Sequence, residues 1–180
     1  MLRPESSVAC SDVVPALDLA ELRAIVERCA ADVRAGVHRV EFDRDQRWHV
    51  RLHCDDQVDV WLISWTRTQG TELHDHGDSA GAFTVVEGCL TESVWSGSAE
   101  RGRLVDHARE AGDAVVFGSH YVHDVRNTAV ASAVSVHAYS PPLRRMGFYN
   151  VAGDGLVRRA EAWTDDPEAP APERPDRVAS

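Results

Sequence analysis

The residues of this chain best suited to chemistry are three histidines, His74, His76 and His123. One residue separates His74 from His76, so in an extended segment both imidazoles point to the same face and can bind one cation. A histidine from a distant strand would complete a set of three nitrogen ligands and leave coordination positions open, as catalytic metal sites require. The spacing therefore predicts a catalytic metal centre. The ligand types alone fit ferrous iron and also zinc, as in carbonic anhydrase.

A second polar group consists of Ser135, His137 and Tyr139. These residues alternate along a predicted strand and so face the same way, whereas the intervening Val136 and Ala138 are small and apolar. Buried polar groups need hydrogen-bond partners, and a relay from Ser135 through His137 to Tyr139 would supply them and aim the phenol at the open face of the metal. A hydrogen-bonded core network without a chemical role is the alternative. The phenol would orient and donate, because its ordinary pKa of about 10 keeps it protonated at neutral pH.

A β-rich core must position these side chains. Short runs rich in valine, threonine and aromatic residues, punctuated by glycine and aspartate, fill the region from Trp48 to about Ser140. Many short strands with glycine turns predict a sandwich or small barrel. The predicted strands are Trp48–His53, Val58–Thr66, Leu73–His76, Ala82–Glu87, Leu90–Trp95, Ala114–Phe117, His123–Asn127 and Ala133–Tyr139.

A helix is predicted before the strands, over residues 17–36. Asp18 and Glu21 have the spacing of a capping box, and apolar residues recur at helical spacing from Leu19 to Val33. We expect this helix to pack outside the barrel, within a single domain over residues 1–164 whose barrel covers 48–140. Residues 165–180 are rich in proline, alanine and charge, and are predicted to be disordered because they bury too little apolar surface.

The overall composition argues against several classes of protein. The chain of 180 residues carries a formal net charge of −10 without a basic stripe, which is unsuited to binding nucleic acid. None of its four cysteines stands in a C-x-x-C pair, so a zinc-thiolate or dithiol redox motif is unsupported. No apolar stretch has membrane length, and the first residues lack the pattern of a signal peptide. We therefore expect a cytoplasmic protein without membrane contact.

Two longer motifs surround the histidines. The first is Gly70-x3-His74-x-His76-x11-Gly88, and the second is Gly112-x5-Gly118-x4-His123-x3-Asn127. Together they resemble the two motifs of the cupin barrel, a jelly roll that binds one metal ion inside, although the glutamate ligand of the usual first motif is missing here. More narrowly, the runs LHDHGDSAG and SVHAYSPP are similar to the signatures of the thiol dioxygenases of the cysteine dioxygenase family. This resemblance covers about residues 40–150.

The resemblance implies roles for particular residues. His74, His76 and His123 would hold one ferrous iron, with Ser135 and His137 behind them and Tyr139 touching the substrate. An arginine on an upstream strand would bind the substrate carboxylate with its planar fork. Arg51 is the predicted residue, and Arg47 and Arg67 are the fallbacks.

Two further details follow from the resemblance. Some members of the family have a cysteine that is cross-linked to the tyrosine, at the position occupied here by Gly81. The cross-link should therefore be absent, as in bacterial members. The segment Ser140-Pro141-Pro142 is expected to contain a cis peptide bond.

The implied activity is an iron-dependent dioxygenation of L-cysteine to cysteine sulfinic acid. Three alternatives stay open: the same chemistry on 3-mercaptopropionate or another small thiol, a non-enzymatic metal-binding cupin, and a zinc-dependent isomerase or hydrolase. The expected partners are a small-molecule thiol and O2. The sequence does not specify an oligomeric state and is compatible with a monomer.

Overall fold

The computed structural model describes residues 15–172, which form one helix followed by eleven strands. Within these residues, no helix is both long enough and apolar enough to cross a membrane. Helix α1 spans Leu19–Arg34. The strands are β1 His49–Cys54, β2 Asp59–Trp65, β3 His74–Asp75, β4 Ala80–Glu87, β5 Cys89–Gly97, β6 Gly102–Glu110, β7 Ala114–Phe117, β8 His123–Arg126, β9 Ala133–Ser140, β10 Arg145–Ala152 and β11 Gly155–Trp163.

The strands form two antiparallel sheets. One sheet has five strands in the order β1-β2-β9-β4-β7, and the other has six in the order β11-β10-β3-β8-β5-β6. Side chains from both sheets share one apolar core, for example Trp65 and Phe83 from the first sheet and Leu90 and Phe148 from the second. Two antiparallel sheets enclosing a common core form a jelly roll. The predicted all-β cupin barrel with an external helix is confirmed.

Helix α1 covers the outer face of the five-stranded sheet. The predicted capping box is present, because Asp18 and Glu21 each accept a hydrogen bond of 2.8 Å from the other's backbone N–H. Val60 and Val136 of the sheet join the apolar cluster beneath the helix. The buried side chains of the helix are Leu22, Val26, Ala30 and Val33.

Strand β3 is only two residues long and is held in the six-stranded sheet largely by a buried carboxylate. Asp75 accepts hydrogen bonds from the backbone N–H groups of Gly77 (2.9 Å) and Gly147 (3.1 Å), and from the hydroxyl of Tyr149. In the register with the two neighbouring strands, His74 lies opposite His123 of β8 and Phe148 of β10. Asp75 therefore fixes the strand from its outer face while His74 points inward.

Three strands were not predicted, and two of them, β10 and β11, extend the barrel beyond the predicted range of 48–140. β6 is an edge strand in which charged and polar residues interrupt the apolar ones, so it lacks the apolar run used to recognise strands. β10 and β11 form a hairpin that closes with Ala152 opposite Gly155, and β10 pairs directly with β3. The last strand ends at Trp163.

The prediction of disorder from residue 165 is wrong for residues 165–172. Pro167 is buried, the carboxylate of Glu168 forms an ion pair with Arg47, and Ala171 packs against the core. A composition rich in proline and charge did not reveal this long-range pair. The remaining predicted tail, 173–180, and residues 1–14 lie outside the described part of the chain.

Candidate metal centre

The three predicted histidines converge inside the barrel. His74 lies on β3, His76 directly follows that strand, and His123 opens β8. All three are buried, and their candidate ligand nitrogens lie within 4.8 Å of one another. The Nε2 atoms of His74 and His76 are 3.2 Å apart. This spacing is suited to three nitrogens that share one ion.

The tautomers of two histidines also fit a metal. His74 Nδ1 lies 2.7 Å from the carbonyl oxygen of Glu72, and His123 Nδ1 lies 2.7 Å from a carboxylate oxygen of Glu92. Since both partners can only accept, each Nδ1 carries the proton and each Nε2 keeps its lone pair for the centre. The donor set therefore fits a divalent metal with open positions.

His74 and His76 are held in the neutral form that metal binding requires. Burial lowers the pKa of His74 and His76 well below the ordinary value, and the neighbouring His123 lowers both further. Protonation would place positive charges side by side in a buried space. The neutral imidazoles remain available as ligands near neutral pH.

Glu92 on β5 is a positioning residue that the sequence reasoning missed. Its side chain is fully buried and accepts hydrogen bonds from His123, Arg109 (2.8 Å) and Tyr121 (3.1 Å). Burial alone would raise the pKa of Glu92, but the hydrogen bonds from His123 and Arg109 reverse the shift and lower it. An ionised carboxylate on the outer nitrogen of a ligand fixes its ring and raises its basicity. The sequence signal that could have identified Glu92 is its alternation with Leu90, which places this glutamate on the buried face of β5.

The Ser135, His137 and Tyr139 strand lines the centre from the opposite sheet. Trp65 Nε1 donates to Ser135 Oγ at 2.8 Å, and that hydroxyl lies 2.8 Å from His137 Nε2. Burial and the nearby His123 and His74 lower the pKa of His137 to about 3, so it accepts from Ser135 as a neutral ring. The first link of the predicted relay is present.

The second predicted link, from His137 to Tyr139, is replaced by ring packing. The two ring centroids are 6.5 Å apart and no hydrogen bond joins these two described side chains, whereas Tyr139 packs on His76 with centroids 4.7 Å apart. Alternate residues on a strand share a face, but their polar ends need not meet. Burial, with the charges of Glu168 and Asp59, raises the pKa of Tyr139 well above its ordinary value, so its hydroxyl keeps its proton.

Arg51 lies on β1, the upstream strand on which the sequence placed it. Its guanidinium stacks over Trp61, 4.3 Å from the ring centroid, and donates to Asp165 at 3.0 Å. Across the sheet, Trp61 stands in register between Arg51 and His137. The three side chains therefore share one face of the sheet, and the predicted contact of Arg51 with the substrate carboxylate stays a prediction.

The fallback Arg47 does reach the centre. It lines a cavity of about 220 Å³ together with His74, and it donates to the carboxylate of Glu168 and the carbonyl oxygen of Gly70. Arg67, the other fallback, is exposed on the turn after β2. Among the three predicted arginines, Arg47 is the one beside the metal centre.

Two smaller predictions can be read directly from the strands. Gly81 of β4 lies opposite Tyr139 of β9, and without a side chain it offers no sulfur for a cross-link to the phenol. The Ser140–Pro141 peptide bond is cis, as expected.

The fold and site define a cupin barrel with a three-histidine centre beside a Ser-x-His-x-Tyr strand. The family model described as cysteine dioxygenase type I matches residues 10–151, and the chain belongs to this family. Among curated proteins, the chain is similar to cysteine dioxygenase type 1 of Danio rerio, at 29% identity over 112 residues. That match covers 56% of this chain and 55% of the relative, so the chain spans about half the length of the curated relative.

The chain is also similar to several solved structures. TT1209 from Thermus thermophilus shares 16% identity with a TM-score of 0.49, covering 57% of this chain and 90% of that chain. KdgF from Halomonas sp. shares 15% identity with a TM-score of 0.47, covering 59% of this chain and 90% of that chain.

Proposed function

We propose that this protein is an iron-dependent thiol dioxygenase that converts L-cysteine to cysteine sulfinic acid. The observation that carries the proposal is the convergence of three buried histidines beside the hydroxyl of Tyr139. Membership of the cysteine dioxygenase type I family supports the same reaction. The reaction balances as one thiol plus one O2 giving one sulfinic acid, so the thiol supplies all the electrons.

His74, His76 and His123 would hold the iron. When bound, a ferrous ion supplies a redox-active centre at which a thiol and O2 can react. Because imidazole ligands carry no negative charge, they would leave the charge of the ion uncompensated and favour an anionic thiolate over a neutral ligand. The charge of Glu92, shared with Arg109, keeps the His123 ring oriented for this task.

Tyr139 would act as a hydrogen-bond donor to the bound substrate. Its raised pKa keeps the hydroxyl protonated at neutral pH, and its ring is held against His76. His137 lines the same small cavity, with its Nε2 already occupied by Ser135. The buried aromatic and apolar surroundings, including Trp65 and Val125, exclude bulk water from the thiol.

Arg47 would bind the carboxylate of the substrate. Its guanidinium offers the planar fork that a carboxylate accepts through parallel hydrogen bonds. It lies at the outer side of His74, so a substrate could place its thiol at the histidines and its carboxylate at Arg47. The thiol and O2 are the proposed small-molecule partners, and the cytoplasmic location stays a prediction.

The proposal is tested by stoichiometry in anaerobically iron-loaded protein. On addition of cysteine and O2, we expect about one O2 consumed for each cysteine sulfinate formed, measured with an oxygen electrode and by chromatography. Oxygen uptake without sulfinate would contradict the proposal. Metal analysis after purification without chelators separates the iron enzyme from a zinc-dependent isomerase or hydrolase.

The same assay separates the two candidate substrates. L-Cysteine and 3-mercaptopropionate share a thiol and a carboxylate and differ in the amine. The ratio of their kcat/KM values measures the preference directly. A higher value for 3-mercaptopropionate would keep the chemistry and replace the substrate.

A further inference from the structure

The mouth of the metal centre is covered by the chain's own C-terminal segment, defined here as residues 165–170. Glu168 of this segment points inward, and its side chain is only 5% exposed. Its carboxylate pairs with Arg47, whose guanidinium carbon lies 5.4 Å from the Trp65 ring centroid. The segment follows β11 and lies beyond the residues that match the family model.

The C-terminal segment is built to keep this position. Asp166 accepts a hydrogen bond of 2.8 Å from the backbone N–H of Glu168, and Thr164 Oγ1 accepts one of 3.0 Å from the backbone N–H of Asp166. Asp165 is paired with Arg51 on the barrel rim. Arg51 thus contacts the segment that presents Glu168.

With Glu168 in place, the space that His74, His123 and Tyr139 share is very small, although His74 also borders the larger cavity at Arg47. The cavity bounded by His74, His123, Tyr139 and Glu168 has a volume of about 10 Å³. A cavity of that size holds about one water molecule. A thiol acid therefore does not fit between His74, His123 and Tyr139 until Glu168 moves away.

Glu168 presents to Arg47 the same chemical group that a thiol acid would present. If a substrate carboxylate joined the pair, two like charges would share one partly buried guanidinium, which is unfavourable. If it replaced Glu168, Arg47 would stay paired throughout, and the leaving segment would open the cavity.

We propose that Glu168 is an internal carboxylate that occupies Arg47 until the carboxylate of a thiol-acid substrate displaces it. Glu168 then determines specificity, because only a ligand with its own carboxylate leaves Arg47 paired after the segment departs. The identity of the thiol acid rests on the proposed function, but the exchange of carboxylates at Arg47 does not.

Propionate, a carboxylate without a thiol, tests the exchange in full-length, metal-free protein. Calorimetry at constant ionic strength should show at least about tenfold tighter propionate binding to Glu168→Gln than to the unmodified chain. Arg47→Gln should bind propionate in neither background. Glu161→Gln removes one carboxylate from the preceding strand β11 and should leave the affinity unchanged. Equal propionate affinity in the unmodified chain and Glu168→Gln would overturn the proposal.

A second measurement requires no variant. Saturating propionate should increase amide hydrogen exchange in residues 165–170 of the unmodified chain, whereas the neutral isostere propionamide should not. Unchanged or slower exchange with propionate would overturn the proposal even if Glu168→Gln failed to fold. Since neither assay needs iron or O2, a failure of the dioxygenase assay leaves both results readable.

The catalytic consequence is measured last. In iron-loaded protein, Glu168→Gln should lower the KM for cysteine about tenfold with little change in kcat, because the internal competitor is weakened. An unchanged KM in an active Glu168→Gln enzyme would contradict the exchange and leave the dioxygenase assignment intact.

Discussion

The two sheets that enclose the metal centre hold their polar side chains by different means. The six-stranded sheet carries His74 and His123, and it orients His123 with the ionised, arginine-paired Glu92. The five-stranded sheet carries His137, which is held by neutral hydrogen bonds through Ser135. A ligand that must face a cation gains from a negative charge behind it. A neighbour that must stay neutral is better held by groups without charge.

The strands themselves differ in the same sense. The ligand strand β3 has two residues and relies on the carboxylate of Asp75 for its position. β2 and β9 have seven and eight residues and pair along the whole length of β2. Side-chain charge therefore substitutes for backbone pairing on the ligand side. Changes there should alter metal binding, whereas changes on the opposite side should alter stability and turnover.

The largest effect is expected for His123→Ala, which removes a ligand from the charged side. Iron affinity should fall by more than the roughly 10–100-fold typical of an orienting partner, and sulfinate formation should be lost. Mass-spectrometric metal analysis and an oxygen electrode measure the two quantities. His53→Ala, at an exposed histidine that contacts Asp55, is the control. Retention of stoichiometric iron by His123→Ala would exclude this ligand set.

Glu92→Gln should have the next largest effect, because it keeps the shape of the side chain and removes the charge. We expect iron affinity to fall about 10–100-fold with all three ligands still in place. Competition with a ferrous chelator measures it, and Glu87→Gln, at an exposed carboxylate on β4, is the control. If Glu92→Gln bound iron with unchanged affinity, the negative charge beside His123 would not be needed for metal binding. The proposed difference between the two sheets would then be wrong.

Ser135→Ala tests the neutral side. It leaves Trp65 Nε1 without its acceptor and His137 Nε2 without its donor in a buried site, which should cost about 1–3 kcal/mol in the free energy of unfolding. Urea denaturation measures this cost, with the exposed Ser132→Ala as the control. Iron affinity should not change. A large loss of iron affinity in Ser135→Ala would contradict the division of roles.

The pH dependence of stability sharpens the comparison further. The pKa of His137 is about 3 in the folded protein, and its ordinary value is about 6.5. Above about pH 6.5 the ring is neutral in both states. At lower pH the unfolded chain takes up a proton that the folded protein does not, so stability falls until the pH approaches 3.

Between about pH 7.5 and 5, His137 should account for about 2 kcal/mol of this loss in metal-free protein. His137→Gln keeps a polar side chain and should flatten the curve, as measured by urea denaturation at several pH values. An identical slope in His137→Gln would mean that the ring is protonated in the folded state at about pH 5.

Local patterns in the sequence were enough to predict much of this molecule. The capping box at Asp18, the alternation of His74 with His76 and the alternation along β9 each depend on residues close together in the chain. The two spaced motifs led to the prediction of the jelly roll, a fold that brings His123 close to His74 and His76. These features are set by backbone periodicity, which a single sequence displays.

The parts that were missed depend on distant pairings. Glu92 is recognisable as a positioning residue only once β5 lies beside β8, and β10 only once it pairs with β3. Spacing in the sequence does not show which of Arg47 and Arg51 lines the cavity beside His74. Their positions depend on distant ion pairs, of Arg47 with Glu168 and of Arg51 with Asp165. Composition predicted a disordered tail because it cannot register a buried ion pair between residues so far apart in the chain.

The absence of a side chain at Gly81 limits how this centre could be re-engineered. A Cβ atom built there would lie 2.5 Å from the ring of Phe117, closer than atoms can approach without rearrangement. Phe117 in turn stacks on His76, with ring centroids 5.2 Å apart. Installing a thioether bridge to Tyr139 would therefore require a smaller residue at position 117 as well. A thioether bridge to the phenol of Tyr139 and the Phe117 ring behind His76 cannot occupy the same space. In this chain Phe117 fills that space.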